Sequence, residues 1–203
     1  MSRFLEKPRE DHRATVKHLL RYVAGILDHG VFYSKGKKGD HQLIGYSDSD
    51  YAGDIDDRKS TSGMLYCLGA SPITWSSGKQ KVVALSSCEA EYIAAAYGAC
   101  QGIWLARLLK DLLGGRPGAP ILRVDNKSAI DLAKNPVHHD SSKHIETKYH
   151  FIRKSVEDGK IVLEQISTGD QLADIMTKSL ARVKFQELRY RIGVVNIKLQ
   201  HQA

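Results

Sequence analysis

The alternation of apolar and polar positions changes period several times along the chain, and each change marks an element. Between residues 10 and 28, Val16, Leu19, Leu20, Val23, Ile26 and Leu27 recur at helical spacing with a basic opposite face. Gly30 is placed to stop that helix. Residues 30–34 are a short strand candidate, and residues 35–40 a polar, glycine-containing turn. An apolar, β-prone run from Ile44 then ends abruptly in three aspartates, Asp48, Asp50 and Asp54. The polar loop 54–62 leads to two further β-prone runs, 63–68 and 72–76, joined tightly by Gly69-Ala70-Ser71. Three strands so connected predict an antiparallel meander.

The longest helical pattern spans residues 86–113. Ser86 and Glu89 fit a capping box at its start, and Gly114-Gly115 ends it. One face, running from Glu91 through Ala94, Ala95, Gly98 and Gly102, is nearly bare of side chains, which lets the helix lie close to another backbone. Residues 121–125 form a short strand ending in Asp125, followed by a helix start at Asn126-Lys127-Ser128 that Pro136 breaks. Residues 138–144 are a polar loop, 146–158 a helix capped by Gly159, and 161–166 a fifth strand. Thr168 and Gln171 predict a second capping box, opening a helix that carries Asp174. Residues 182–190 predict one more helix before a frayed tail. The order implies an α/β fold: a five-stranded mixed sheet, a meander of strands one to three followed by parallel strands, with helices on both faces.

At 203 residues the chain can build one domain with a full core plus extensions. No window has the unbroken apolar length of a membrane span. Residues 1–9 have no apolar core behind their charges, so they are not read as a secretory signal. Cys67, Cys88 and Cys100 are odd in number and lack CxxC spacing, which suits reduced, buried thiols in an intracellular protein. A net charge of +7 favours a polyanionic partner, although many basic proteins bind nothing acidic. Aspartates collect between residues 48 and 57. A local acidic site in a basic protein suits metal-dependent chemistry on nucleic acid.

Four acids stand out by position. Asp48 ends the first central strand, Glu91 lies near the start of the long helix, Asp125 ends the fourth strand, and Asp174 lies early in the late helix. Clustered carboxylates raise one another's pKa unless a cation offsets them. Hard oxygen ligands select Mg²⁺ or Mn²⁺, and two such ions ~4 Å apart activate water and stabilise the leaving oxygen of a phosphodiester. Glu89 is needed as capping partner, which leaves Glu91. Asp50 and Asp54 lie beyond the strand end and read as turn formers, and Asp170 suits a helix dipole without further function. Each acid taken singly reads as structural; four in this order favour a joint site. A calcium loop over residues 48–59 fails because Lys59 stands where a bidentate glutamate is required. His138, His139, His144 and His150 lack the paired spacing of a zinc site and read as a solvated basic region near nucleic acid.

Several runs carry a family resemblance. They are residues 45–54 (GYSDSDYAGD) with 57–63 (DRKSTSG), 75–80 (WSSGKQ), 86–95 (SSCEAEYIAA), 124–126 (VDN), 143–145 (KHI) and 173–178 (ADIMTK). Together they resemble the RNase H region of copia-type LTR-retrotransposon polyproteins over nearly the whole chain. The resemblance implies the RNase H fold and hydrolysis of the RNA strand of an RNA/DNA hybrid, with two Mg²⁺ (or Mn²⁺) ions. Asp48 matches the first aspartate of Tyr-Thr-Asp-Gly, and Glu91 stands in an Ala-Glu-Leu-like segment. Asp125 matches the aspartate that precedes serine, here followed by Asn126, and Asp174 matches the Ala-Asp of the last active-site helix. These four are the expected catalytic and metal-binding residues; Ser49, Arg58, Lys59 and Asn126 are the expected substrate contacts.

Residues 1–30 resemble the end of a preceding reverse-transcriptase region, which makes a polymerase domain an expected partner. The corresponding divisions are an extension at 1–35, an RNase H-like domain at 36–180 and a C-terminal helix and tail at 181–203. The expected setting is a cytoplasmic virus-like particle, or the nucleus. One departure is plain: many RNase H enzymes carry a histidine just before the fourth acid, and Ser167-Thr168-Gly169-Asp170 has none. A non-catalytic nucleic-acid-binding or assembly module of the same fold is the alternative. An integrase or exonuclease would share the acids but not the runs quoted above.

Overall fold

The computed structural model describes residues 5–33, 42–115, 118–134 and 143–200. In chain order the elements are α1 (Glu10–Gly25), β1 (His29–Val31), β2 (Leu43–Ser49), β3 (Thr61–Leu68), β4 (Ser71–Lys79), α2 (Ser87–Leu113), β5 (Ile121–Val124), α3 (Lys127–Lys134), α4 (Lys143–Glu157), β6 (Val162–Gln165), α5 (Asp174–Thr177), α6 (Arg182–Arg191), β7 (Val194–Asn196) and α7 (Ile197–Gln200). The expected turn at 35–40, the break at Pro136, and His138 and His139 lie outside the described residues, as does the side chain of His144. No helix among the described residues is long and apolar enough to cross a membrane.

The chain divides into two compact units, Met1–Phe32 with Val194–Ala203, and Tyr33–Gly193. In the first, β1 pairs antiparallel with β7, His29 opposite Asn196 and Val31 opposite Val194. The strand expected at 30–34 is therefore shorter and earlier, and part of the expected frayed tail is a strand. A two-stranded ladder gives both segments partners for their backbone groups. Next to the His29 end of the ladder, Ile197 N–H donates to the Asp28 carbonyl at 2.8 Å. Along α1 the apolar positions Val16, Leu19, Leu20 and Val23 are exposed.

The second unit contains the five-stranded sheet, in the order β4-β3-β2-β5-β6. Strands β2, β3 and β4 run antiparallel, while β5 lies parallel to β2 and β6 parallel to β5. This is the α/β mixed sheet the sequence implies. Strands β3 and β4 are longer than expected, because the ladder continues through polar positions to Thr61 opposite Lys79. Apolar patterning misses an exposed strand end that backbone pairing retains.

Helix α2 packs its bare face on the sheet as expected. The Tyr66 hydroxyl donates to the Gly98 carbonyl at 2.9 Å. A Cβ at Gly98 would come within 3.1 Å of Leu122, and one at Gly102 within 2.7 Å of Tyr66 Cζ. Around this contact Leu43, Tyr92, Leu122, Val124, Ile152 and Leu163 form the buried core. Helix α5 packs against the opposite face, over Gly63, so helices cover both faces.

Two further expectations are corrected. Thr168 and Gln171 form no capping box: Thr168–Asp170 is a 3-10 turn, and α5 begins only at Asp174. The Gln171 amide is wholly buried and bridges elsewhere, donating to the Ser47 carbonyl at 2.9 Å and accepting from Ala173 N–H at 3.2 Å. A buried amide must find partners, and this one finds them in the sheet. The cysteines form no disulfide among the described residues, but only Cys67 is buried; Cys88 is half-buried and Cys100 exposed.

Candidate active site

Parallel pairing of β2 with β5 sets Tyr46 opposite Arg123. Two residues further on, and so on the same face, come Asp48 and Asp125. Asp48 is fully buried. Helix α2 brings in Glu91 from its first turns. Its start is fixed by Ser86 Oγ, which accepts from Glu89 N–H at 3.1 Å, while Glu89 Oε2 accepts from Leu85 N–H at 2.7 Å. Glu89 is thus the capping acid, as expected, and Glu91 is left for the site. One carboxylate oxygen from each of Asp48, Glu91 and Asp125 lies within 4.8 Å of the others.

The electrostatics of this cluster call for a cation. Glu91 Oε1 accepts from Ser49 N–H at 3.2 Å, while the buried Oε2 has no hydrogen-bond partner. Burial, reinforced by the Asp48 and Asp125 charges, pushes the Glu91 pKa up to about 9. Burial also raises Asp174 above the usual carboxylate range, with Lys178 opposing. An all-oxygen donor set with an unpartnered buried carboxylate oxygen fits a hard divalent ion such as Mg²⁺ or Mn²⁺.

Asp174 is not one of the three clustered acids. It is joined to them through Lys178, whose Nζ lies 2.8 Å from Asp174 Oδ1 and 3.0 Å from Asp48 Oδ1. The neighbouring Thr177 hydroxyl donates to Asp48 Oδ2. Helix α5 can come this close because its partner in the sheet is glycine: Gly63 lies opposite Asp48 in the ladder. A Cβ there would sit 2.7 Å from both Met176 Cβ and Thr177 Cγ2. Ser77 Oγ adds a tie from β4 by donating to the Met176 carbonyl at 2.6 Å.

Behind the acids, the buried Gln80 amide nitrogen donates to Ser62 Oγ and the Ala90 carbonyl, both at 2.9 Å, and lies 3.2 Å from Ser49 Oγ. It links the ends of β2 and β3 to the first turn of α2, next to Glu91. Gln80, Thr177, Lys178 and Gln171 escape sequence reasoning, because their partners are remote in the chain. A faint signal existed for Lys178: it stands four residues after Asp174, on the same face of a helical turn.

Of the neighbouring aspartates, Asp54 is a turn former, as expected, whereas Asp50 closes the loop across eleven residues. Asp50 accepts from Thr61 N–H. Asp54 accepts from Asp56 N–H at 2.9 Å and Asp57 N–H at 3.3 Å. The Lys79 ammonium, 2.5 Å from Asp54, together with those N–H groups holds its pKa down at about 2. Asp170 is exposed and accepts from Ser167 Oγ and Arg191. Among the expected substrate contacts, Ser49 Oγ is engaged with the Thr61 and Asp50 carbonyls. Asn126 caps α3 by accepting from Ala129 N–H at 3.0 Å. Arg58 is exposed on the loop with a left-handed φ of 56°, and Lys59 is half-buried, 3.8 Å from Asp57.

A five-stranded mixed sheet in this strand order, with helices packed on it, is the RNase H fold. The structure aligns with LC11-RNase H1 isolated from compost at a TM-score of 0.50, with 17% identity, covering 68% of this chain and 93% of that one. It aligns equally, at 0.50 and 14% identity, with a foamy viral protease-reverse transcriptase solved in complex with RNA/DNA hybrid, over 73% of this chain and 21% of that one. No protein-family model matches the chain. In sequence it is 44% identical over 197 residues to the Pol polyprotein of transposon RE2 from Arabidopsis thaliana, covering 97% of the chain. It is 42% identical over 194 residues to that of transposon TNT 1-94 from Nicotiana tabacum, covering 96%. The chain spans only 13% and 14% of the lengths of these two relatives. Over nearly its whole length the chain is thus similar to a segment of retrotransposon Pol polyproteins, and its fold is that of RNase H domains.

Proposed function

We propose that the chain is a divalent-metal-dependent endoribonuclease that hydrolyses the RNA strand of RNA/DNA hybrids during retrotransposon reverse transcription. The observation that carries this reading is the convergence of Asp48, Glu91 and Asp125 within 4.8 Å, with a buried Glu91 oxygen left unpartnered. Asp48, Glu91, Asp125 and Asp174 would hold two Mg²⁺ (or Mn²⁺) ions. Those ions, when bound, supply a Lewis acid and an activated water for phosphodiester hydrolysis. The protein's own part is to hold the acids in register. Ser49 N–H orients Glu91, Thr177 orients Asp48, and Gln80 fastens the helix to the strand ends. Arg58 and Lys59 would contact phosphates, and the 2′-hydroxyls of the hybrid would mark the strand to be cut. Ser49 and Asn126 would contribute through the backbone they fix.

A reverse-transcriptase polymerase domain is the partner this reading implies, with residues 1–35 as the end of its connection, 36–180 as the nuclease and 181–203 as a C-terminal helix and tail. The setting would be a cytoplasmic virus-like particle, or the nucleus. The test is incubation of the chain with a hybrid labelled in its RNA strand, with Mg²⁺ or Mn²⁺, comparing wild type with Asp48→Asn and Asp125→Asn. Cleavage by wild type and its loss in both variants is expected. Hybrid binding without cleavage would instead favour a non-catalytic module of the same fold, and cleavage unaffected by Asp125→Asn would sink the site assignment.

A further inference from the structure

Lys178 is a cation already inside the acidic site, and the proposed nuclease reading gives it no task. Its ammonium bridges two carboxylates from different elements, Asp48 of β2 and Asp174 of α5, at 3.0 and 2.8 Å. Among the described residues it has no other hydrogen-bond acceptor, so these two acids alone hold it. The side chain is 36% exposed whereas Asp48 is fully buried, so the lysine reaches in from the surface on a flexible stem. Its neighbour Thr177 occupies the second oxygen of Asp48. Asp48 therefore has each oxygen committed, one of them to a group that can leave.

We propose that Lys178 is a resident counter-cation of the active site, which holds the Asp48–Asp174 half of the carboxylate set and must be displaced when a divalent ion binds there. The proposal rests on the metal-site reading above. Two arguments exclude simple coexistence. Mg²⁺ draws carboxylate oxygens to about 2.0–2.1 Å, closer than an ammonium's hydrogen-bond distance, so both cannot lie between the same two oxygens. Two cations that close also repel strongly in a partly buried site. Within the Asp48–Glu91–Asp125 cluster Lys178 pairs with Asp48 alone, and Glu91 and Asp125 make no ion pair with it among the described residues, so an ion held there meets the lysine at one ligand only. The four acids thus divide into a position that meets the lysine at Asp48 alone and a position, between Asp48 and Asp174, that the lysine bridges on both sides. Lys178 gives the ion-free protein a docked α5 at the expense of affinity for the second ion.

The test is Mn²⁺ binding by the full chain, with free Mn²⁺ measured by electron paramagnetic resonance, together with thermal melting in EDTA and in Mg²⁺. Wild type is compared with Lys178→Met, Lys178→Gln and Lys178→Arg. Lys178→Met should tighten the weaker Mn²⁺ site by roughly tenfold, since a competing charge is removed. It should lower Tm in EDTA and gain more Tm from Mg²⁺ than wild type does. Lys178→Gln, which keeps a hydrogen-bond donor, should show the same tightening if the methionine variant folds poorly, and Lys178→Arg should bind Mn²⁺ like wild type. Equal Mn²⁺ affinity in wild type and both neutral variants would overturn the assignment of Lys178 while leaving the carboxylate site standing. Absence of Mn²⁺ binding by wild type would overturn both.

Discussion

Replacing Gly63 with alanine isolates the contact on which the α5 half of the site depends. Gly63 lies in a regular ladder position opposite Asp48. Its φ is outside the left-handed region, so alanine is free of backbone strain there and the effect is purely steric. The new Cβ would lie 2.7 Å from Met176 Cβ and Thr177 Cγ2, and 3.2 Å from the Ala173 carbonyl. Carbon atoms in ordinary contact are about 3.5–4.0 Å apart, so α5 must retreat by roughly 1 Å. Met176 Cβ is fixed to the backbone and cannot yield by a rotamer change. A retreat of that size would break the contact of Thr177 with Asp48, because the short threonine side chain has no flexible stem to follow the shift.

The expected stability cost is about 1–3 kcal/mol for overpacking, offset by up to about 1 kcal/mol from the stiffer unfolded chain. The functional cost is larger, because misplacing a catalytic group by 1 Å can cost on the order of 10²-fold in rate. Urea unfolding and hybrid cleavage in Mg²⁺ measure the two. Wild-type midpoint and wild-type rate together in Gly63→Ala would refute the docking argument.

Glu91 gives a pH signature opposite in sign to that of ordinary carboxylates. Its folded pKa of about 9 lies above the ordinary 4.5, so its contribution is full below pH 4.5 and is lost as pH rises towards 9. Urea midpoints in EDTA should fall across that window, Mg²⁺ should flatten the fall, and Glu91→Gln should remove it; a fall that survives Glu91→Gln would contradict the assignment. At the α2–sheet contact, Tyr66→Phe should cost about 1 kcal/mol for the lost hydrogen bond to the Gly98 carbonyl, read from urea denaturation. Gly102→Ala should cost about 1–3 kcal/mol. The double variant should cost less than the sum, because the hydroxyl oxygen is the atom nearest the new Cβ. Strict additivity would show that the helix shifts instead.

Sequence legibility followed the range of the interaction. The positions of Asp48 and Asp125 were readable because each ends an apolar run, and Glu91 because a local capping pair claims Glu89. The bare face of α2 was readable from its Ala and Gly spacing. Gln171 was not: local pattern assigns it to a capping box, but its amide reaches Ser47, across 124 positions in the chain. Lys178 reads as an ordinary cation near a helix end, and only the docking of α5 on Gly63 sets it between two acids. Likewise, the pairing of β1 with β7 joins opposite ends of the chain: Val194 and Val195 are β-prone, but nothing local to them names a partner at His29–Val31. Short-range chemistry is written in the pattern; side chains whose partners the tertiary fold selects are not.

The central claim is that carboxylates at the end of β2, β5 and the start of α2 form a divalent-metal nuclease site. The most direct measurement is the rate of RNA-strand cleavage in an RNA/DNA hybrid as Mg²⁺ is titrated from zero and then removed with EDTA. The account predicts no cleavage without the ion, a rise with added Mg²⁺, reversal by EDTA, and no cleavage at any Mg²⁺ concentration by Asp125→Asn. RNA-strand cleavage that persists in EDTA, or that Asp125→Asn retains in full, would contradict it.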